Sequence, residues 1–191
     1  MSIAVANMKS TSAEVIESGV DVLMGLLYAP GSSRKIGEAI KGITRLQKLL
    51  FLLWKEGHFY EAVPNLYNFE AYDLGPCMDD LYDDLEFVEE LGLVKVDEVP
   101  SGNEYEGGDE EAFQRAFGFR FVKRDSRRDF SLTPSGLEAG KEIYDALSEK
   151  DQESLNLIKK KYNKMAFWDL LRYVYKKYPA FAEKSILSLS L

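Results

Sequence analysis

The chain has 191 residues, 46% of them apolar and 29% charged, with a formal net charge of −8 and mean hydropathy of −0.26. That is the composition of one globular domain, or a small domain with a helical extension, able to bury a core. The net charge disfavours nonspecific attachment to nucleic acid or anionic lipid, and one histidine with one cysteine cannot build an ordinary structural zinc site or a disulfide.

The longest apolar stretches, Val22–Ala29 and Leu49–Trp54, are far shorter than the ~20 residues that span a bilayer, so no membrane is expected. The start has no basic residue before Lys9 and does not read as a secretory signal. With Cys77 alone, a reducing cytoplasm is the expected compartment.

Thr11 and Glu14 have capping-box spacing, after which Ile16, Val20, Leu23 and Leu27 recur at helical intervals up to Pro30-Gly31. A second box, Thr44 and Gln47, opens a helix over Arg45–Glu56 whose apolar face carries Leu46, Leu49, Leu50, Leu53 and Trp54. Phe69–Leu74 alternates like a short strand. Gly75-Pro76 then reads as the start of a helix running to Leu91, with Met78, Leu81, Tyr82, Leu85 and Val88 on its buried arc.

Leu93–Val96 begins a hairpin interrupted by an acidic, Gly-rich stretch over 97–117, read as a mobile insertion. Gly118–Lys123 and Asp129–Leu132 alternate like strands joined through Arg124–Arg128. Thr133 caps a helix with Pro134 at its first position, followed by helices over Ser148–Met165 and Phe167–Tyr178. The organisation predicted is an α+β, mostly α chain. Residues 10–140 form a winged helix-turn-helix domain with a small antiparallel wing sheet, and 141–191 form C-terminal helices that pack on it or dimerise.

Three pieces carry a resemblance: the Thr44-Arg-Leu-Gln-Lys-Leu-Leu-Phe51 helix, the Gly75-Pro76 turn after an aromatic strand, and the Phe130-Ser-Leu-Thr-Pro-Ser-Gly136 junction. Together they resemble the Panacea-type antitoxin domain and its archaeal and bacterial winged-helix relatives, over roughly Val15–Leu187. The Trp168–Pro179 helix is similar to that group's last helix, whereas Leu74-Gly-Pro-Cys77-Met78 departs from its Tyr-Gly-Pro-Tyr-Ser turn. The resemblance implies a non-enzymatic protein that neutralises or regulates a partner, in some members with DNA binding.

Charge distribution singles out the functional candidates. Between Pro76 and Glu111 there are fourteen carboxylates and one cation, Lys95, a net of −13; the remainder, with 23 cations and 18 carboxylates, is at +5. Seven of the fourteen sit on the helix preceding the hairpin, where a winged helix usually carries the element laid into DNA. Phosphates would repel it.

Phe87 lies opposite the buried arc among Asp80, Asp83, Asp84 and Glu90, the pattern of an aromatic anchor inside a polar rim. These five residues are the candidate face for a basic protein partner, such as a toxin or a nucleic-acid-binding protein. The bland reading is a solvated helix with Phe87 covered by the insertion or the wing.

The alternative is a DNA-binding transcriptional regulator using the basic wing Lys123, Arg124, Arg127 and Arg128, with Lys41, Arg45 and Lys48 beside it. Lys159, Lys160, Lys161 and Lys164 read as a solvated face. No catalytic residue, metal site or cofactor is expected. His58 has no second histidine, Cys77 is flanked by Asp73, Asp79 and Asp80, and no phosphate-binding glycine motif is present.

Overall fold

A computed structural model describes residues 16, 18–57, 59, 68–100 and 126–185. In chain order these form α1 (Gly19–Tyr28), β1 (Ile40–Lys41), α2 (Ile43–Glu56), β2 (Glu70–Tyr72), β3 (Gly75–Cys77), α3 (Asp80–Glu90), β4 (Val94–Pro100) and β5 (Ser126–Leu132). The last elements are α4 (Pro134–Ala146), α5 (Glu149–Tyr162), α6 (Phe167–Lys177) and a single 3-10 turn over Pro179–Phe181. The described residues are α+β and mostly helical, with two small antiparallel sheets. Among the described residues no helix is long and apolar enough to cross a membrane.

Helix α1 is apolar almost all round and α2 carries a wide apolar face, so both are buried rather than laid on the surface. In α1 every residue from Val22 to Tyr28 is buried, and in α2 every residue from Leu46 to Leu53. The three-stranded sheet, in order β1-β5-β4, closes one side of this pair, with Ile40 opposite Phe130 and both fully buried. The helices α5 and α6 pack on α2, α5 also on α1, so the C-terminal extension folds back onto the first half of the chain.

Close approaches are made possible by glycines. A Cβ at Gly136 would lie 1.8 Å from the Leu93 carbonyl oxygen, which ties the start of α4 to the entry into β4. The same junction is pinned by Thr133, whose hydroxyl accepts from the Gly136 N–H at 3.0 Å and donates to the Gly92 carbonyl at 2.7 Å. Pro134 at the first helical position and Thr133 as the cap are as the sequence predicts.

Several boundaries differ from the sequence reading. The Thr11–Glu14 box lies outside the described residues; α1 begins at Gly19, where the Ser18 N–H donates to the Asp21 carboxylate at 2.9 Å. Thr44 caps nothing: α2 starts at Ile43 behind Gly42, and Gln47 is buried, its amide donating to Cys77 Sγ at 3.2 Å. Pro76 starts no helix. Gly75 has φ of +85° in the tight β2–β3 turn, Pro76 continues as strand, and α3 begins only at Asp80 behind Asp79.

The hairpin also extends further than expected. Asp97–Pro100 are strand residues paired with Ser126–Asp129, so Arg127 and Arg128 sit in β5 and not at a wing tip. The remainder of the insertion and the Gly118–Lys123 strand lie outside the described residues.

Replacing Gly136 by alanine forces a Cβ into a backbone carbonyl that no side-chain rotation can relieve. We expect Gly136→Ala to lower stability by about 1–3 kcal/mol or more, read as a drop in thermal midpoint by circular dichroism.

Candidate partner-binding face

Helix α3 is held on one side only. Leu81, Leu85 and Val88 are buried against the core, while Asp80, Asp83, Glu86, Phe87, Glu89 and Glu90 are exposed. Its C-terminus is a Schellman motif: Gly92, at φ +68°, donates its N–H to the Glu89 carbonyl at 2.8 Å and Leu93 donates to the Val88 carbonyl at 2.9 Å. Phe87 is 53% exposed and Leu91, one turn on, 55%. Tyr82, expected on the buried arc, is instead 36% exposed at the arc's edge, with the Arg128 guanidinium 5.8 Å from its ring centroid.

No cation lies on α3 itself. Asp80 and Asp83 complement the positive end of the helix dipole, but the last turn holds Glu89 and Glu90 and no cation, where the dipole term is unfavourable. Asp84 is half-buried between α3 and α1. Burial pushes its carboxyl up, and Asp80, Asp83 and Asp21 of α1 push it further. The five residues singled out for partner binding thus share one helix, with Phe87 outward and Asp84 partly withdrawn.

The candidate nucleic-acid residues are not brought together in the same way. Lys41 is exposed, but Arg45 donates to the carbonyls of Tyr162 at 3.1 Å and Met165 at 2.7 Å, closing the C-terminus of α5. Lys48 is 1% exposed and donates to the Pro76 carbonyl at 2.8 Å, so it cannot reach a phosphate. Arg127 grips Asp129 through two hydrogen bonds of 2.6 and 2.8 Å, its side chain 15% exposed. Arg128 lies against Tyr82 and Phe130, opposite Glu98 across the hairpin. Lys123 and Arg124 lie outside the described residues, as does His58.

Lys159 is a further correction. Placed on a solvated face by its neighbours in sequence, it is fully buried, and its ammonium donates to the Leu27 carbonyl at the end of α1 at 2.6 Å. Burial lowers both Lys48 and Lys159 to about 7. Lys160, Lys161 and Lys164 do remain exposed.

Sequence reasoning missed Glu56. Its carboxylate accepts from Tyr162 at 3.0 Å, Tyr173 at 2.8 Å and Tyr178 at 3.1 Å, with Lys177 Nζ also at 3.0 Å. Burial works to raise this carboxyl, but the hydrogen bonds from Lys177, Tyr173 and Tyr162 outweigh it and the net shift is downward. A terminal glutamate after an apolar helix carries no signal of such a role; the three tyrosines become legible only once α5 and α6 are seen to pack there. Cys77 is half-buried and takes the Gln47 amide.

Compared with family models, with curated proteins and with solved structures, the chain matches none.

Two predictions follow from the buried charges. A lysine lowered to about 7 in the fold and near 10.4 when unfolded binds fewer protons folded, so its contribution to stability rises with pH across that window. The wild-type chain should therefore gain on Lys48→Met between about pH 7 and 10, by up to about 1.4 kcal/mol per pH unit, in urea melts run at each pH.

Asp84 has the opposite sense. Its raised carboxyl makes the charged form unfavourable in the fold, so stability falls as pH rises above the unfolded value. Asp84→Asn should stabilise at pH 7 by on the order of 0.5 kcal/mol after solvent screening, the gap closing below about pH 4.

Proposed function

We propose that this chain is a non-catalytic regulatory protein of winged-helix type that docks a basic protein partner on α3, as an antitoxin-type neutraliser or an adaptor. The element order supports the fold reading. A short β1 between the first two helices pairs with the second strand of a hairpin that follows α3, in the sheet order β1-β5-β4 expected of a winged helix. In that arrangement α3 holds the position of the reading helix.

The observation that carries the functional reading is Phe87, 53% exposed on a helix with carboxylates in every turn and no cation. An exposed aromatic within a charged rim is the composition of an interface anchor, and the sign of the rim selects a cationic partner. The inward commitment of Arg45, Lys48 and Arg127 weakens the competing DNA-binding reading, which is left with Lys41 and the cations near the hairpin end. The resemblance to antitoxin-type winged helices points the same way.

Capture from nuclease-treated native extract on immobilised protein tests the reading. Phe87→Ala and the pair Asp83→Lys with Glu90→Lys should each abolish retention of the bound protein, while circular dichroism melts report an intact fold. Retention unchanged in both variants removes α3 as the docking face. Salt-sensitive retention of duplex DNA instead, lost on Arg124→Ala, would establish the regulator reading.

A further inference from the structure

The exposed surface of α3 is not uniform. At 100° per residue, Asp80, Asp84, Phe87 and Leu91 fall within about 60° of one another, a single row with the i, i+4, i+7, i+11 spacing of a coiled-coil seam. The row runs along about 16 Å of helix at 1.5 Å per residue. Its N-terminal half is acidic and its C-terminal half is apolar, with Phe87 and Leu91 both more than half exposed. Asp83 and Glu90 flank it on the outer side, and Asp21 of α1, close enough to Asp84 to act on its carboxyl, flanks it on the inner side. The buried row, Leu81, Leu85 and Val88, borders the seam on the α1 side, where Asp84 is half-buried, and the described residues leave Phe87 and Leu91 more than half exposed.

We propose that the Asp80–Asp84–Phe87–Leu91 row is a helix-packing seam whose occupant is a cationic amphipathic helix of the partner. Two apolar residues of that helix pack on Phe87 and Leu91, and two arginines or lysines meet Asp80 and Asp84. The inference rests on the proposed function and specifies what the partner presents.

Charge complementarity selects the occupant. A nucleic acid or an anionic membrane is repelled by the row and both its flanks, and no cluster among the described residues could hold a metal ion. A second copy of α3 would set carboxylate on carboxylate in a parallel pair, and carboxylate against Phe87 and Leu91 in an antiparallel one, with no cation in either. A row one side chain wide, three turns long and spaced at 3.5 residues matches the projection of a helix and not that of an extended strand, whose side chains repeat every two residues. A cation beside Asp84 also relieves the repulsion that Asp80, Asp83 and Asp21 impose there.

The test uses the full chain and synthetic helical peptides of roughly 15 residues, long enough to be appreciably helical on an alanine-glutamine background. One carries Leu, Leu, Arg, Arg at the seam spacing; its control has the same composition with the row scrambled. Fluorescence anisotropy in low salt should show the patterned peptide binding about tenfold more tightly than the control. Asp84→Asn and Leu91→Gln should each erase that preference, while Glu86→Gln, which removes an equal charge from outside the row, should keep it.

Equal binding of the two peptides, or equal loss from Glu86→Gln and Asp84→Asn, overturns the seam and leaves a face that responds to charge alone. Binding of neither peptide overturns it as well. The extract experiment with Phe87→Ala reports separately: capture lost there with no peptide preference means the docking face stands and the seam does not.

Discussion

Helix α2 is enclosed on every side, and the arrangement of the rest follows from what that requires. An apolar helix can be buried without penalty, but α2 also carries Arg45, Gln47, Lys48 and Glu56, and a buried polar group without a partner costs about as much as several good contacts supply. Each of the four finds its partner on an element other than α2. Arg45 closes the end of α5, Gln47 and Lys48 reach β3, and Glu56 collects the tyrosines of α5, α6 and the segment after α6. The polar residues of α2 thereby fix which elements surround it, while the leucines supply most of the apolar burial. The same commitment takes Arg45 and Lys48 away from any surface role.

With the central helix closed, α3 is left with carboxylates in every turn and no cation, and there the molecule carries a load that folding does not call for. Glu89 and Glu90 at the negative end of the helix dipole are each unfavourable by about 0.3–1 kcal/mol at exposed positions. Asp84 is pushed further from its preferred ionisation by three neighbouring carboxylates. Lysines or glutamines at these places would serve the fold better. Such residues weaken a local element while leaving it intact, and on the proposed reading a cationic partner would turn the same charges into attraction.

Helix cores and their order were legible because periodicity depends on the chain alone. Thr133-Pro134 was legible too, since a cap acts within four residues. Thr44 and Pro76 misled for a shared reason: both are good local signals for a helix start, and at both places tertiary contacts decide otherwise. Gln47 is drawn to Cys77 and Lys48 to the Pro76 carbonyl, which holds 75–77 extended. Lys159 misled because three neighbouring lysines imply a wet face, yet a helix turns enough within one residue to bury one of them. Tyr82 sits at the edge of the wheel's arc, where position alone cannot say whether the ring goes in or lies along the surface beside Arg128. The outward face of Phe87 needed only the angle between it and Met78, which is why its exposure was legible where individual boundaries were not.

How α3 is mounted bears on what it can do. Its C-terminus ends in a two-bond motif through Gly92 and Leu93, and the backbone of Leu93 accepts the Thr133 N–H at 3.0 Å while sitting against Gly136. The helix is therefore fixed at one end to β4 and α4 and along its inner face to the core. A docking element held this way has little backbone entropy left to lose, so the free energy of contact is not spent on ordering it. A flexible acidic tail could attract the same partner but would have to be ordered on binding, and its charges would serve encounter more than residence. Rigid presentation gives Phe87 and Leu91 a fixed spacing, and on the proposed reading that spacing would let the acidic surface distinguish one basic helix from another.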